Sequence, residues 1–508
     1  MFEITHEKHV EGNKNLWFAA FLAIGCLYLF ARFWNLTASC LVFDEIFSVH
    51  AASLPWNELF GFIALDLIHP PFFYTALKIW ILLGGESLLW LRLFPVFWSV
   101  LAIAPFLLFC RELKLVNRET LFAFIFVAVN GALIKYAQEV RMYSLLFCLA
   151  HFSFWLFVKF LEAKSKTVFF WLFFVNFLLI YTHYFGWLII AAELAAVVIY
   201  KFDKLKSFLL LLALWIASFL PWTTAVYFAS QTGTGFGQNL GWATKPGIFG
   251  VAQLILTIHE PFYWQRSSVD PASLWFVTIP LALVCLATIV LNWKNSKIRF
   301  LAIFVFLPIS IAFVISHLFP FSVWGVRHLI ITVAPYALLS GIALNKLRSE
   351  SLKIGAFCLI GVLVLTGGAV HFIRKSPNFI WCAWENLAVR ATETDKSSKI
   401  TIYAFEDLVA YHLWFATKGN ESVDVIAIKN YPGIEEDNAY FLPRGFEEVK
   451  ISNQDAITGE RFWIAFRDRN WNSHHPLIQD LNARGYKINA PLEIRAQGLK
   501  AFLVLVEK

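Results

Sequence analysis

Two short polar runs interrupt an otherwise apolar chain. "LVFDEIFSVH" sets Asp44 beside Glu45 just past a first hydrophobic segment, and "LDLIHPPFFY" follows with Asp66, His69 and a proline pair. A carboxylate pair in a loop is ordinarily solvated surface. Here the flanks "LVF" and "IFSVHAA" put it at a lipid boundary, where ionisable groups are costly and tend to have a function. A carboxylate there could take the proton of an attacking hydroxyl. The prolines can simply open a helix, since Pro in the first turn forfeits no hydrogen bond. That accounts for Pro70 and Pro71 but not for His69 or Asp66. A helix start with a His beside it suits an anion such as phosphate.

Further polar residues stand at the ends of apolar runs. "YAQEVRMYSLL" carries Gln138, Glu139 and Arg141. A snorkelling Arg paired to a Glu within one turn would explain them, and so would a site. His183 in "YTHYFGW" can be an interfacial histidine among aromatics. "VRHLIITVAP" places Arg327 and His328 together at a helix start. Snorkelling explains one basic residue there, and a second also suits phosphate. The loop "QTGTGFGQNLGW" (231–242) only superficially resembles a nucleotide loop: no strand precedes it and it lacks Gly-Lys-Ser/Thr. It reads as a flexible cover.

The elements that must position these residues are membrane helices. Hydrophobic residues make up 59% of 508 and charged residues 15%. Mean hydropathy is +0.63. Soluble domains are about 25% charged, so the chain reads as a polytopic α-helical membrane protein. The 53 Phe and 21 Trp fit lipid-facing and interfacial positions. A net charge of +7 is therefore read as loop charge, not as affinity for nucleic acid. The start reads as a retained first helix, with no small-residue cleavage site before the next polar stretch.

Apolar runs near 16–34, 90–110, 119–134, 142–160, 168–182, 184–200, 207–228, 272–292, 300–319, 327–346 and 352–372 give about eleven transmembrane helices. The run 71–84 is short and opens on prolines, so it reads as a helix along the interface of the first outer loop. With that choice, "RELKLVNRE", "KFLEAKSKT", "KFDKLKS", "NWKNSKIR" and "NKLRSESLK" share one face, the cytoplasmic one. The polar runs described above then share the opposite face, although they took no part in assigning sides.

Residues 1–372 thus read as a membrane domain and 373–508 as a small extracytoplasmic α/β domain. Its strands are "KITIYAF", "VDVIAIK", "RFWIAF" and "AFLVLVEK", and its helices "DLVAYHLWFA" and "PLIQDLNARGY". Of seven cysteines, most lie in apolar runs as packing residues. Cys40 and Cys382 flank the membrane and could pair if they share an oxidising face, although an odd count without a framework argues little for it.

"FDE" followed by "DLIHPP" resembles the first outer loop of protein O-mannosyltransferases. "YAQEVRMYSLL", "YTHYFGW" and "RHLIITVAPYALLSGIAL" resemble bacterial members of glycosyltransferase family 39 and its relatives, including the aminoarabinose transferases. All are GT-C membrane glycosyltransferases, and the resemblance spans roughly residues 15–350. It implies a GT-C fold, a polyprenyl-phosphate-linked sugar donor, and inverting transfer to an extracytoplasmic acceptor hydroxyl on a glycolipid, envelope glycan or protein. By position it makes Asp44 the base, with Glu45 its neighbour. His69 falls near the donor phosphate, and Glu139 and Arg141 match a second cluster of an acid and a phosphate-binding Arg. Arg327 and His328 could add positive charge, with Asp66, Gln138 and His183 in support. The eukaryotic β-trefoil has no room here, and the 373–508 tail is unlike theirs, so a protein acceptor does not follow. The bacterial members imply a bacterial inner membrane.

A sugar on a polyprenyl phosphate leaves without needing a proton, so one carboxylate base suffices where hydrolases need two. The phosphate needs positive charge as its own grows, with or without a divalent metal ion. Two other classes share parts of this pattern. A transporter or flippase should place polar residues at mid-membrane in broken helices, often in two related halves. A non-catalytic binding protein would tolerate loss of Asp44.

Overall fold

The computed structural model describes residues 14–232, 243–262, 275–373, 379–395, 399–434, 442–496 and 498–508. The Gly-rich loop 231–242 lies almost wholly outside the described residues. The chain forms two compact units, 1–36 with 55–374 and 37–54 with 375–508. The division differs from the expected single cut after 372 in one respect: the segment carrying Asp44 and Glu45 groups with the C-terminal part.

The first unit is helical. Its helices are α1 (Lys14–Phe33), α3 (Trp56–Asp66), α4 (Phe72–Gly84), α5 (Leu88–Leu101), α6 (Ile103–Glu112), α7 (Asn117–Val129), α8 (Gly131–Gln138) and α9 (Tyr143–Glu162). They continue with α10 (Lys166–Thr182), α11 (Gly186–Tyr200), α12 (Leu205–Ser230), α13 (Ile248–His259), α14 (Trp275–Leu291), α15 (Ser296–Leu318), α16 (Val333–Asn345) and α17 (Glu350–Ile373). α2 (Phe43–Ser53) belongs to the second unit.

Every apolar run read from the sequence is helical over most of its described residues. Among the described residues, seven helical stretches are long and apolar enough to cross a membrane. The chain is a multi-pass membrane protein. The other four expected spans are shorter or broken. α10 has 17 residues, α11 has 15 and α14 has 17. The run 119–134 breaks at Asn130, whose side chain accepts from Leu133 N at 3.0 Å and so caps α8. α4 has 13 residues, about 20 Å at 1.5 Å per residue, short of the ~30 Å hydrocarbon core.

Burial separates inner from outer helices. The windows at Tyr143–Glu162 and His328–Asn345 are 83% and 89% buried, against 17% for Lys14–Phe33. α9 and α16 therefore form the centre, and α1 faces outward. α16 packs closely on α7 because Gly341 has no side chain: a Cβ there would lie 2.5 Å from the Glu119 carbonyl oxygen. α4 is fastened to α5 by Trp80 and Trp90, stacked at 4.5 Å. Each indole N–H donates to the other's carbonyl at 2.8 Å.

The second unit holds α2, α18 (Ile380–Thr394), α19 (Asp407–Thr417), α20 (Pro476–Ala483) and a seven-stranded sheet. Its strands are β1 (Ile400–Ala404), β2 (Val423–Ile428), β3 (Lys450–Ser452), β4 (Arg461–Asp468), β5 (Lys487–Ile488), β6 (Leu492–Ala496) and β7 (Leu499–Glu507). β3, β2, β1 and β4 are parallel in that order, and antiparallel β7 follows β4. The four alternating runs read as strands are β1, β2, β4 and β7, and the two helical stretches are α19 and α20. Phe462, Ile464, Phe466, Phe502, Val504 and Val506 form its core with Leu477, Ile478 and Leu481 of α20. Cys40 and Cys382 form a disulfide.

Candidate active site

Four corners between helices of the first unit bring ionisable side chains together. The first runs from α3 to α4. Leu67 caps α3 with φ of 65°, a left-handed conformation that costs a leucine energy and that packing must sustain. The chain reverses there, and Asp66 and His69 meet, with Nδ1 3.0 Å from Oδ2. Pro71 then caps α4. The carboxylate accepts from Nδ1–H, which fixes the ring and turns Nε2 away from it.

The second corner, 139–142, joins α8 to α9. Arg141 N donates to the Glu139 carbonyl at 2.7 Å. The buried Arg141 guanidinium lies with Nη2 3.4 Å from His69 Nε2. The third corner, after α10, carries His183, whose Nδ1 accepts from Phe185 N at 3.1 Å. The fourth, 323–328, carries Arg327 and His328. Val323 O lies 3.0 Å from His328 Nδ1 and accepts from it. Gly325 makes room for this ring, since a Cβ there would stand 3.0 Å from Nδ1.

The rings close the cluster. His69 and His183 centroids are 5.8 Å apart, and His183 and His328 5.5 Å. Tyr143, at the start of α9, lies 6.1 Å from His183 and 6.4 Å from His328. His183 Nε2 is buried without a hydrogen-bond partner among the described residues. Burial first, then the charges of His328, His69, Arg141 and Arg327, holds His183 well below the ordinary histidine range. It is neutral at pH 7, while Arg141 and Arg327 stay charged. Among the described residues the cluster joins Asp66 and the arginines Arg141 and Arg327 with the rings of His69, His183 and His328. Such a set favours an anion, and guanidinium forks match phosphate oxygens.

The remaining residues singled out in the sequence lie elsewhere or have other tasks. Glu139 is half-buried beside Lys135, 3.5 Å from its ammonium. Gln138 braces the bundle: its amide donates to Arg32 O at 3.0 Å and Trp34 O at 2.8 Å, past the end of α1, while Arg92 donates to Gln138 O. Asp44 and Glu45 stand in the first turn of α2, in the second unit. Glu45 is buried and caps its own helix, its Oε2 accepting from Val42 N at 3.1 Å. Asp44 is partly exposed. Sequence reasoning passed over Tyr143, although it stands two residues after Arg141 in a quoted run. Among the described residues no three His, Cys, Asp or Glu side chains converge as a metal-binding group.

No family model and no curated protein sequence matches the chain. Solved structures do. ArnT from Cupriavidus metallidurans bound to undecaprenyl phosphate matches with a TM-score of 0.59 at 12% identity, over 97% of this chain and 98% of that one. The apo state of the same protein matches with a TM-score of 0.55 at 12% identity, over 96% and 97%. The chain has the GT-C fold. The likeness takes in the sheet-containing tail as well as the helices, so the tail is part of the shared fold, not an addition to it.

Proposed function

We propose that this protein is an integral-membrane inverting glycosyltransferase that moves a sugar from a polyprenyl-phosphate carrier to an acceptor hydroxyl outside the cytoplasm. The observation that carries the reading is the phosphate-suited cluster of Arg141, His69, His183, Arg327 and His328, in a chain with the fold of a protein solved with undecaprenyl phosphate. In this reading Arg141 and Arg327 neutralise the donor phosphate, and His69, oriented by Asp66, turns Nε2 to the Arg141 guanidinium and holds it in place. His183 and His328 complete the same cluster.

The reaction needs little else from the protein. The acceptor oxygen attacks C1 of the sugar. The C1–O bond to phosphate breaks, and its electron pair stays on the phosphate. The acceptor proton goes to a carboxylate, which the reading assigns to Asp44, because Glu45 is committed to capping α2. Glu139 is next in line. Positive charge fixed in advance favours the transition state because the leaving phosphate gains charge as the bond breaks.

The Lys/Arg-rich loops support a cytoplasmic face opposite these residues. The Cys40–Cys382 disulfide supports an oxidising compartment for the second unit. Both suit a bacterial inner membrane with the site facing outward. The test uses purified protein in detergent, a panel of radiolabelled polyprenyl-phosphate sugars, and an envelope extract as acceptor source. Wild type should transfer label from one donor, and Asp44→Asn, melting like wild type, should lose transfer. Equal transfer by both would move the base to Glu139, to be checked with Glu139→Gln. Absence of transfer from every donor would remove the reading.

A further inference from the structure

α2 is short, and an isolated helix of 11 residues is marginal in water. Its place must come from what holds it. Eight of its residues, Glu45 to Ala52, are buried. Near its start the Cys40–Cys382 disulfide ties the chain to α18. In the first turn Phe43 meets Tyr411 edge-on at 5.4 Å. In the last turn His50 lies between Trp414 at 5.3 Å and Phe446 at 5.1 Å. Its Nε2 reaches Glu448 Oε1 at 3.1 Å. Burial alone would raise the Glu448 carboxyl, and the hydrogen bond and charge of His50 outweigh it and hold it below the ordinary range. All these partners lie within the second unit. The helix is held at both ends by residues more than 300 positions further along the chain, as the separation of 342 between the cysteines illustrates.

We infer that Glu448, acting through His50, and Cys382, through its disulfide to Cys40, are positioning residues for the Asp44 carboxylate. The C-terminal domain is then part of the transfer machinery. The inference rests on the reading of Asp44 as the base. A group misplaced by about 1 Å can lose about 10²-fold in rate, so small movements of α2 should register in kcat while the donor still binds.

The test combines kinetics with hydrogen exchange on the full chain. Glu448→Ala should lower kcat by about tenfold or more and change the donor KM by less than about threefold. His50→Gln keeps an N–H donor for Glu448 and should recover most of the rate that His50→Ala loses. Amide exchange over residues 45–53 should quicken in Glu448→Ala, and in wild type after mild reduction of the disulfide. The reduced wild type covers the case in which a variant folds poorly. Unchanged exchange and unchanged kcat in both Glu448→Ala and the reduced protein would overturn the inference. Wild-type transfer by Asp44→Asn would instead sink the base assignment, with the exchange data still deciding whether the C-terminal domain fixes the helix.

Discussion

Arg141→Ala is the sharpest perturbation of the cluster. Arg141 is 4% exposed, so little water competes with it for an anion. A phosphate oxygen about 4 Å away, at an effective dielectric of about 20, would gain about 4 kcal/mol. Removing one preorganised donor from a site of growing negative charge costs about 2.7–4 kcal/mol by mutagenesis elsewhere. The two estimates agree, and kcat should fall by about 10²–10³. The donor KM should change less, because only charge that grows in the transition state appears in kcat. Arg141→Lys keeps the charge and loses the fork, so it should recover part of the rate. The rest of the cluster should persist. His69 loses the Nη2 contact at 3.4 Å, but Asp66 still holds its Nδ1 at 3.0 Å. His183 loses one of the charges that depress it, yet burial is the largest cause and remains, so at pH 8 the ring stays neutral in wild type and variant alike. Rates measured at that pH therefore isolate the lost phosphate contact. An Arg141→Ala protein that melts like wild type and keeps kcat within about threefold would refute the assignment.

Two further outcomes concern buried polar groups. Glu193, buried in α11, accepts from Ser153 Oγ at 2.7 Å and from Asn176 Nδ2 at 2.8 Å, tying α9, α10 and α11 together. Glu193→Gln should be tolerated, because its amide can donate to Asn176 Oδ1, which has no partner among the described residues. Glu193→Leu strands both donors at about 1–3 kcal/mol each, visible as a lower melting temperature in detergent, and equal melting of the two variants would remove the clamp. In the second unit, burial lowers His412 to about 4, against about 6.5 in an unfolded chain. Below about pH 6.5 the unfolded chain takes a proton that the folded one refuses, so stability should drop by about 3 kcal/mol in all by pH 4. His412→Phe should flatten that loss in melts of the full chain between pH 7.5 and 5, and equal acid sensitivity in the variant would contradict it.

How much of this could be read from the sequence depends on the range of each signal. Hydropathy and alternation are local, and they served for the membrane helices and for β1, β2, β4 and β7 alike. The polar residues at span ends stood out because an ionisable group in an apolar background needs a reason. Which of them meet is a different matter. His69 and Arg141 are separated by 72 positions, and nothing local links them. The break at Asn130 did carry a local signal, an Asn-Gly pair inside an apolar run, which a cap-based reading would have caught. The task of Glu45 carried less. A capping box is announced by Ser or Thr three residues before the Glu, and here that position is Val42, so only the backbone half of the motif exists. Gln138 and Glu45 share a lesson. Both stand in polar runs that suggest a site, and both spend their side chains on backbone groups of a helix end. Asp44 stands one residue earlier on the same turn. The difference between the two carboxylates is one of direction around a helix, about 100° per residue. That direction was available only once α2 had a face buried by residues from the far end of the chain. The cysteine pair was the one sequence feature that linked those two segments.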